Sequence, residues 1–212
     1  VEALLRSHIQ HLSNVNFIFA GSERHLISEM FLSSAKPFYN STSQMELFPI
    51  VQDEYPPCGC KWFEGYQKKI DAENVRRIYV LLEGNTYCMQ RTFHEAFANT
   101  AIDGDCTTEI LEQSIRSILE DNGHTYSRML AQIPTRQKEL LYAIASEGKA
   151  DKVLGSAFIK RHSLQSASSV QAALKKLLAL DFITMEESYY TLPDRFMSLY
   201  IKLRQNPSMR LL

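Results

Sequence analysis

The stretch from Val15 to Phe31, VNFIFAGSERHLISEMF, constrains what this 212-residue chain can fold into more than any other. An apolar run of Val15, Phe17, Ile18, Phe19 and Ala20 stops at Gly21-Ser22, and a helical pattern of Leu26, Ile27, Met30 and Phe31 follows at once. A buried strand, a small turn and a crossover helix make up the unit of a parallel α/β sheet. Ligands of such sheets bind beyond the carboxyl ends of the strands, where Gly21 and Ser22 stand. The sequence starts at Val1, a short way ahead of that strand and without an initiator Met. The expectation is the tail of a larger α/β domain whose first half is missing.

Bulk properties narrow the class. The net charge of −1 hides an asymmetry: residues 1–123 carry 10 Lys and Arg against 17 Asp and Glu, and residues 124–212 carry 13 against 7. A basic C-terminal portion suits an anionic partner, or the chain's own acidic portion. No uncharged apolar run approaches the length of a membrane span, so a cytoplasmic protein with no membrane partner is expected. The four cysteines are Cys58, Cys60, Cys88 and Cys106. Cys58-Gly59-Cys60 is too tightly spaced for a zinc knuckle, so reduced thiols and no metal site are expected.

Along the chain, Glu2 to Leu12 reads as an amphipathic helix, and Pro37 to Asn40 as a turn. Met45 to Val51 reads as a short strand or extended segment, and Asp53 to Cys60 as a linker. Helices alone follow. Trp62, Phe63, Tyr66 and Ile70 mark one. Asp71 caps a second that Gly84 ends, Thr86 to Thr100 forms a third, and Thr107 or Thr108 caps a fourth. The expected division is residues 1–60 as an α/β remnant, 61–123 as a helical bundle and 124–212 as a third module. The fold class expected is mainly α with that remnant.

The third module has its own rhythm. Pro134 starts a helix that Gly148 ends, a short helix runs from Ser156 to Arg161, and Ser168-Ser169 open a longer one. Phe182 to Leu192 reads as a β-hairpin, and Asp194 caps a closing helix. Helices followed by a hairpin give the winged helix-turn-helix pattern. Lys160, Arg161, Ser168, Ser169, Gln171, Lys175 and Lys176 suit phosphate and groove contacts. Glu186-Glu187 at the wing tip would repel a phosphate backbone. A protein contact therefore stands beside DNA as the partner. Asp194-Arg195 reads as a cap and a surface pair.

Three sets of residues resemble AAA+ type ATPases: Gly21-Ser22-Glu23-Arg24 after a strand, Pro37-Phe38-Tyr39, and Leu82-Glu83-Gly84-Asn85-Thr86-Tyr87-Cys88-Met89-Gln90 ahead of a winged helix. The group they resemble is the predominantly archaeal ATPase family, related to the STAND regulatory NTPases. The resemblance implies a partial P-loop NTPase core, a helical lid and a winged helix. It places the sensor 1 position at Ser22. It makes Gly84-Asn85-Thr86 the lid turn that opens a helix against the adenine side of the nucleotide, with Thr86 where the family has Pro. The family's Arg after the Pro-rich turn is not found at Pro37-Phe38-Tyr39-Asn40. Arg24 is the nearest cation, and it reads more readily as a solvated residue on a first helical turn.

The phosphate-binding motif G-x-x-x-x-G-K-[ST] does not occur, and no hydrophobic strand ends in paired acids ahead of Val15. ATP and Mg²⁺ are therefore expected in a full-length parent, with none bound by this chain alone and no hydrolysis by it. The missing P-loop half is the expected partner, along with DNA or protein at the winged helix and a homo-oligomer in the manner of such ATPases. The function expected is the C-terminal portion of an ATP-dependent switch. The rival is a winged-helix transcriptional regulator with a helical effector or dimerisation module.

Overall fold

The computed structural model describes residues 1–21, 24–45, 47–186 and 188–212, and only the backbone of Arg24 and His25. It divides into two compact units, Val1–Phe48 and Pro49–Leu212.

The first unit holds two helices, α1 (Glu2–Ile9) and α2 (Arg24–Leu32). Among its described residues only Phe31 and Phe38 are buried. With Phe19 they form an aromatic triad, ring centroids 5.2 to 5.6 Å apart. Lys36 ties the helices by pairing with Glu2 at 3.4 Å and Glu29 at 3.1 Å. The strand expected over Val15 to Ala20 does not form: these residues pair with no other strand among the described residues. A parallel strand exists only through its neighbours' N–H and C=O groups, and sequence pattern alone cannot supply them. Ile18 is 93% exposed, the reverse of what a central strand requires. Met45 to Val51 likewise forms no strand among its described residues.

The second unit is a continuous helical core with two small sheets. A 3₁₀ turn (Gln52–Glu54) leads into α3 (Tyr55–Glu64), where a linker is expected from Pro56 and Pro57. Both prolines fall in the first helical turn, whose N–H groups have no intrahelical partner anyway. The helix stops at Glu64, short of the Ile70 limit its apolar spacing suggests, and Lys69–Ile70 becomes β1. Helix α4 (Ala72–Leu81) is capped by Asp71, which accepts from the Glu73 N–H at 3.2 Å. Helix α5 (Thr86–Asn99) is capped by Asn85, which accepts from the Cys88 N–H at 3.0 Å. β2 (Asp105–Cys106) pairs in parallel with β1, Lys69 opposite Asp105.

Helix α6 (Thr108–Gln132) then runs 25 residues without a break, through Gly123. Its first half buries Leu111, Ile115, Ile118 and Leu119, and this part packs on α5; its second half buries Tyr126 and Leu130. Each such side chain, fully removed from water, stabilises the fold by about 1.5–3 kcal/mol.

Helix α7 (Thr135–Glu147) ends at Gly148, whose φ of +75° a residue with a Cβ adopts only under strain. β3 (Ala150–Asp151), α8 (Ser156–Arg161), α9 (Ala167–Ala179), β4 (Thr184–Glu186), β5 (Tyr189–Thr191) and α10 (Arg195–Gln205) complete the chain. β4 and β5 form the expected hairpin, and β3 adds a third strand antiparallel to β5, Ala150 opposite Tyr190. Two residues of β3 carry too little alternation to be read from sequence. Helix α9 packs on α7, burying Val170, Ala173, Leu174 and Leu177.

Candidate functional site

Two regions hold the candidate residues: the turn between α4 and α5, and the outer face of α9. Ser22 lies outside the described residues, as does the side chain of Arg24, whose backbone belongs to α2.

The α4–α5 turn has two successive left-handed residues, Glu83 at φ +51° and Gly84 at φ +66°. The Gly84 N–H donates to Tyr79 C=O at 3.0 Å, and the Asn85 N–H to Leu82 C=O at 3.0 Å. The Tyr79 ring lies directly over Gly84: a Cβ there would come within 2.7 Å of its Cζ. The Tyr79 hydroxyl donates to Ile50 C=O at 2.9 Å, and its ring centroid lies 5.4 Å from that of Tyr55. The Tyr55 hydroxyl in turn donates to Thr86 Oγ1 at 3.4 Å. Of the three turn residues, Asn85 spends its side-chain oxygen on capping and Thr86 accepts from Tyr55. Gly84 is buried and Thr86 exposed.

This turn is held by the elements that follow β5. Glu83 Oε2 pairs with Arg195 Nη2 at 3.1 Å. Arg195 Nη1 also donates to Thr191 Oγ1 at 2.6 Å and to Leu192 C=O at 2.9 Å. The Arg195 side chain is only 12% exposed, so Asp194-Arg195 is not the surface pair expected from sequence. Asp194 does cap α10, accepting from the Met197 N–H at 2.9 Å, and both its oxygens accept from the buried Tyr126 hydroxyl. Burial, and next the charge of Asp194, push the Tyr126 hydroxyl well above its ordinary pKa. Cys88 lies beside the start of α10; burial and then Asp194 raise its thiol to about 11. Lys202 sits close to Glu83, and burial, helped by the charge of Arg195 and opposed by Glu83, lowers its pKa. Sequence alone carried one signal of this junction, the acid-base dipeptide Asp194-Arg195, and no signal of its partner Glu83.

The second region is a strip on α9. Ser168, Gln171, Ala172 and Lys175 line its exposed face, with Leu174 and Leu178 at the floor. Lys160 and Lys176 are also exposed. Ser169 turns the other way, into a narrow crevice with Arg136 and Glu139 of α7. The helix is capped by Ser166, whose hydroxyl accepts from the Ser169 N–H at 3.3 Å, two residues before the Ser168-Ser169 start expected. Arg161 is not a free cation: Glu147 Oε1 accepts from both Arg161 Nη1 and His162 Nε2, the latter at 2.8 Å. Burial opposes the charge on Glu147, but these two donors outweigh it and hold its carboxyl below the usual range. At the wing, Glu186 accepts from the Tyr189 hydroxyl at 2.8 Å, and Glu187 lies outside the described residues.

Residues 124–203 match the family model described as a probable winged helix domain. The C-terminal part is a winged helix domain. None of the curated proteins matches the chain. Among solved structures, the Walker-type ATPase of Pyrococcus abyssi is similar, with a TM-score of 0.65 and 16% identity over 95% of this chain and 57% of that one. The chain thus spans little more than half the length of that ATPase, and at this identity the likeness is one of fold. The mainly helical architecture with its winged helix is similar in fold to that structure.

Among the described residues, no group of three or more His, Cys, Asp or Glu is placed to hold a metal. Among the described residues, no helix is long and apolar enough to cross a membrane.

Proposed function

We propose that this chain is the C-terminal part of an AAA+/STAND-type ATPase of the predominantly archaeal ATPase family. In this reading α3 to α6 form the lid, and the winged helix is the output module of a nucleotide-dependent switch. The observation that carries it is the first unit. Leu4, Leu12, Val15, Ile18, Met45, Leu47 and Phe48 are each half or more exposed, while the second unit buries a dense apolar core. An apolar surface of this extent beside an unpaired strand-like segment marks a contact face. The remaining strands of a P-loop sheet are its natural cover, and the fold likeness to a Walker-type ATPase of greater length supports that assignment. In that reading Ser22 holds the sensor 1 role and Gly84-Asn85-Thr86 the role of lid turn, for a nucleotide held by the other half of a cytoplasmic protein.

The test compares this chain with a parent that includes a P-loop half. The parent should bind ATP with Mg²⁺, and Ser22→Ala in it should lower turnover. The 212-residue chain alone should show neither. Metal-dependent ATP turnover by the chain alone, or a parent that does not bind ATP, would overturn the reading.

A second reading rests on the α9 strip. Ser168, Gln171 and Lys175 recur on one exposed face, the placement used for groove contacts by winged-helix regulators. The pairing of Arg161 with Glu147 and the acid at Glu186 weaken it. Titration with random duplex DNA at low salt decides: a Kd weaker than about 100 μM falls outside non-specific binding and leaves a protein contact as the role of this face.

A further inference from the structure

We propose that Arg195 is a positioning residue that ties the conformation of the lid turn to the wing. Its role as a relay of nucleotide state rests on the reading above; the tie itself stands on geometry. One planar guanidinium meets three groups on two pieces of chain. Nη2 holds Glu83 on the α4–α5 turn, and Nη1 holds Thr191 at the end of β5 and the Leu192 carbonyl just beyond it. A fixed fork of donors cannot follow one partner without leaving another, because its hydrogen bonds weaken steeply once misaligned.

The turn at the other end is equally fixed. Glu83 and Gly84 are both left-handed, and the Tyr79 ring closes over Gly84. Glu83 therefore presents its carboxylate from a backbone with little freedom, and movement of the turn must appear at Arg195. Charge adds to this. Near Glu83 stand two cations, Arg195 and Lys202; a Cβ on Gly148 would lie 3.8 Å from Glu83 Oε1 and 3.9 Å from Lys202 Nζ. Removing the one carboxylate leaves like charges facing each other in a partly buried space, where screening is weak. The wing is the part free to yield, since β4 and β5 are three residues each and β3 only two.

Hydrogen exchange on the 212-residue chain tests the tie without nucleotide, so its failure and that of the ATPase reading are separable. Glu83→Gln keeps shape and removes charge. Its amides over residues 189–192 and 83–85 should exchange at least tenfold faster, with those of α5 beyond its first turn and of α9 near the wild-type rate. Glu83→Asp, which keeps the charge, should restore part of the protection. Wild-type exchange at the wing in Glu83→Gln would overturn the proposal. So would equal loss of protection in Glu83→Gln and Glu83→Asp, because that is the result of a merely structural role. If Glu83→Gln fails to fold, Arg195→Lys gives the same reading: it keeps the charge but not the fork, so protection over residues 189–192 should fall, and wild-type exchange there would overturn the tie.

Discussion

Replacing Gly84 by Ala is the sharpest perturbation of the α4–α5 turn. A non-glycine residue in the left-handed region costs about 1–2 kcal/mol. The new Cβ would also sit 2.7 Å from the Tyr79 Cζ and hydroxyl oxygen, closer than such atoms approach. The ring must move, and with it goes the hydroxyl's hydrogen bond to Ile50 C=O, a contribution of about 1 kcal/mol. Against this, the unfolded chain loses freedom on gaining a side chain, which returns about 0.4–1 kcal/mol. The balance is a destabilisation of about 2 kcal/mol, or about 4–8 °C in Tm for a chain of this size. Thermal unfolding followed by circular dichroism measures it. The clash has a named partner, so Tyr79→Leu with Gly84→Ala should be less destabilised than the sum of the two single changes. A Tm within about 1 °C of wild type for Gly84→Ala, or strict additivity in the double variant, would refute the argument.

Other outcomes follow from the same contacts. Tyr126→Phe removes one donor from Asp194 and should cost about 1 kcal/mol, whereas Asp194→Ala loses the α10 cap, strands the Tyr126 hydroxyl and should cost about 2–4 kcal/mol by denaturant unfolding. With its thiol raised to about 11, Cys88 should resist iodoacetamide at pH 8 while exposed Cys58 reacts, as read by mass spectrometry. The same shift means the native state keeps a proton that the unfolded state releases. The contribution of Cys88 to stability is therefore full below about pH 9 and falls as pH rises toward 11. Glu147 behaves in the opposite sense. Its depressed pKa gives stability above the ordinary carboxylate range that is lost as pH falls through the folded value, so the Tm difference between wild type and Glu147→Gln should shrink as pH falls below the ordinary carboxylate range.

The legible parts of the fold were those fixed by local chemistry. Asp71, Thr107 and Asp194 cap helices by hydrogen bonds two or three residues long, and Gly84 and Gly148 end or follow helices at left-handed φ. Such signals need no distant partner. The strand expected over Val15 to Ala20 failed for the converse reason, since pairing is a property of two segments. Prolines 56 and 57 misled because the same residue breaks a helix interior and suits a first turn. At the site, the turn residues and the α9 strip were visible as types in a pattern. The Glu83–Arg195 pair joins residues more than a hundred positions apart and left no trace in either neighbourhood.

The unbroken course of α6 has a mechanical consequence. At about 1.5 Å per residue its 25 residues make a rod about 37 Å long, its first half packed among the helices before it and its second half against α10. A torque on the first end is felt at the second with no flexible joint to absorb it. One residue inserted beside Gly123 would twist the distal portion by about 100° and break the contacts that bridge the two portions, such as Arg116 to the Met209 carbonyl and Glu83 to Arg195.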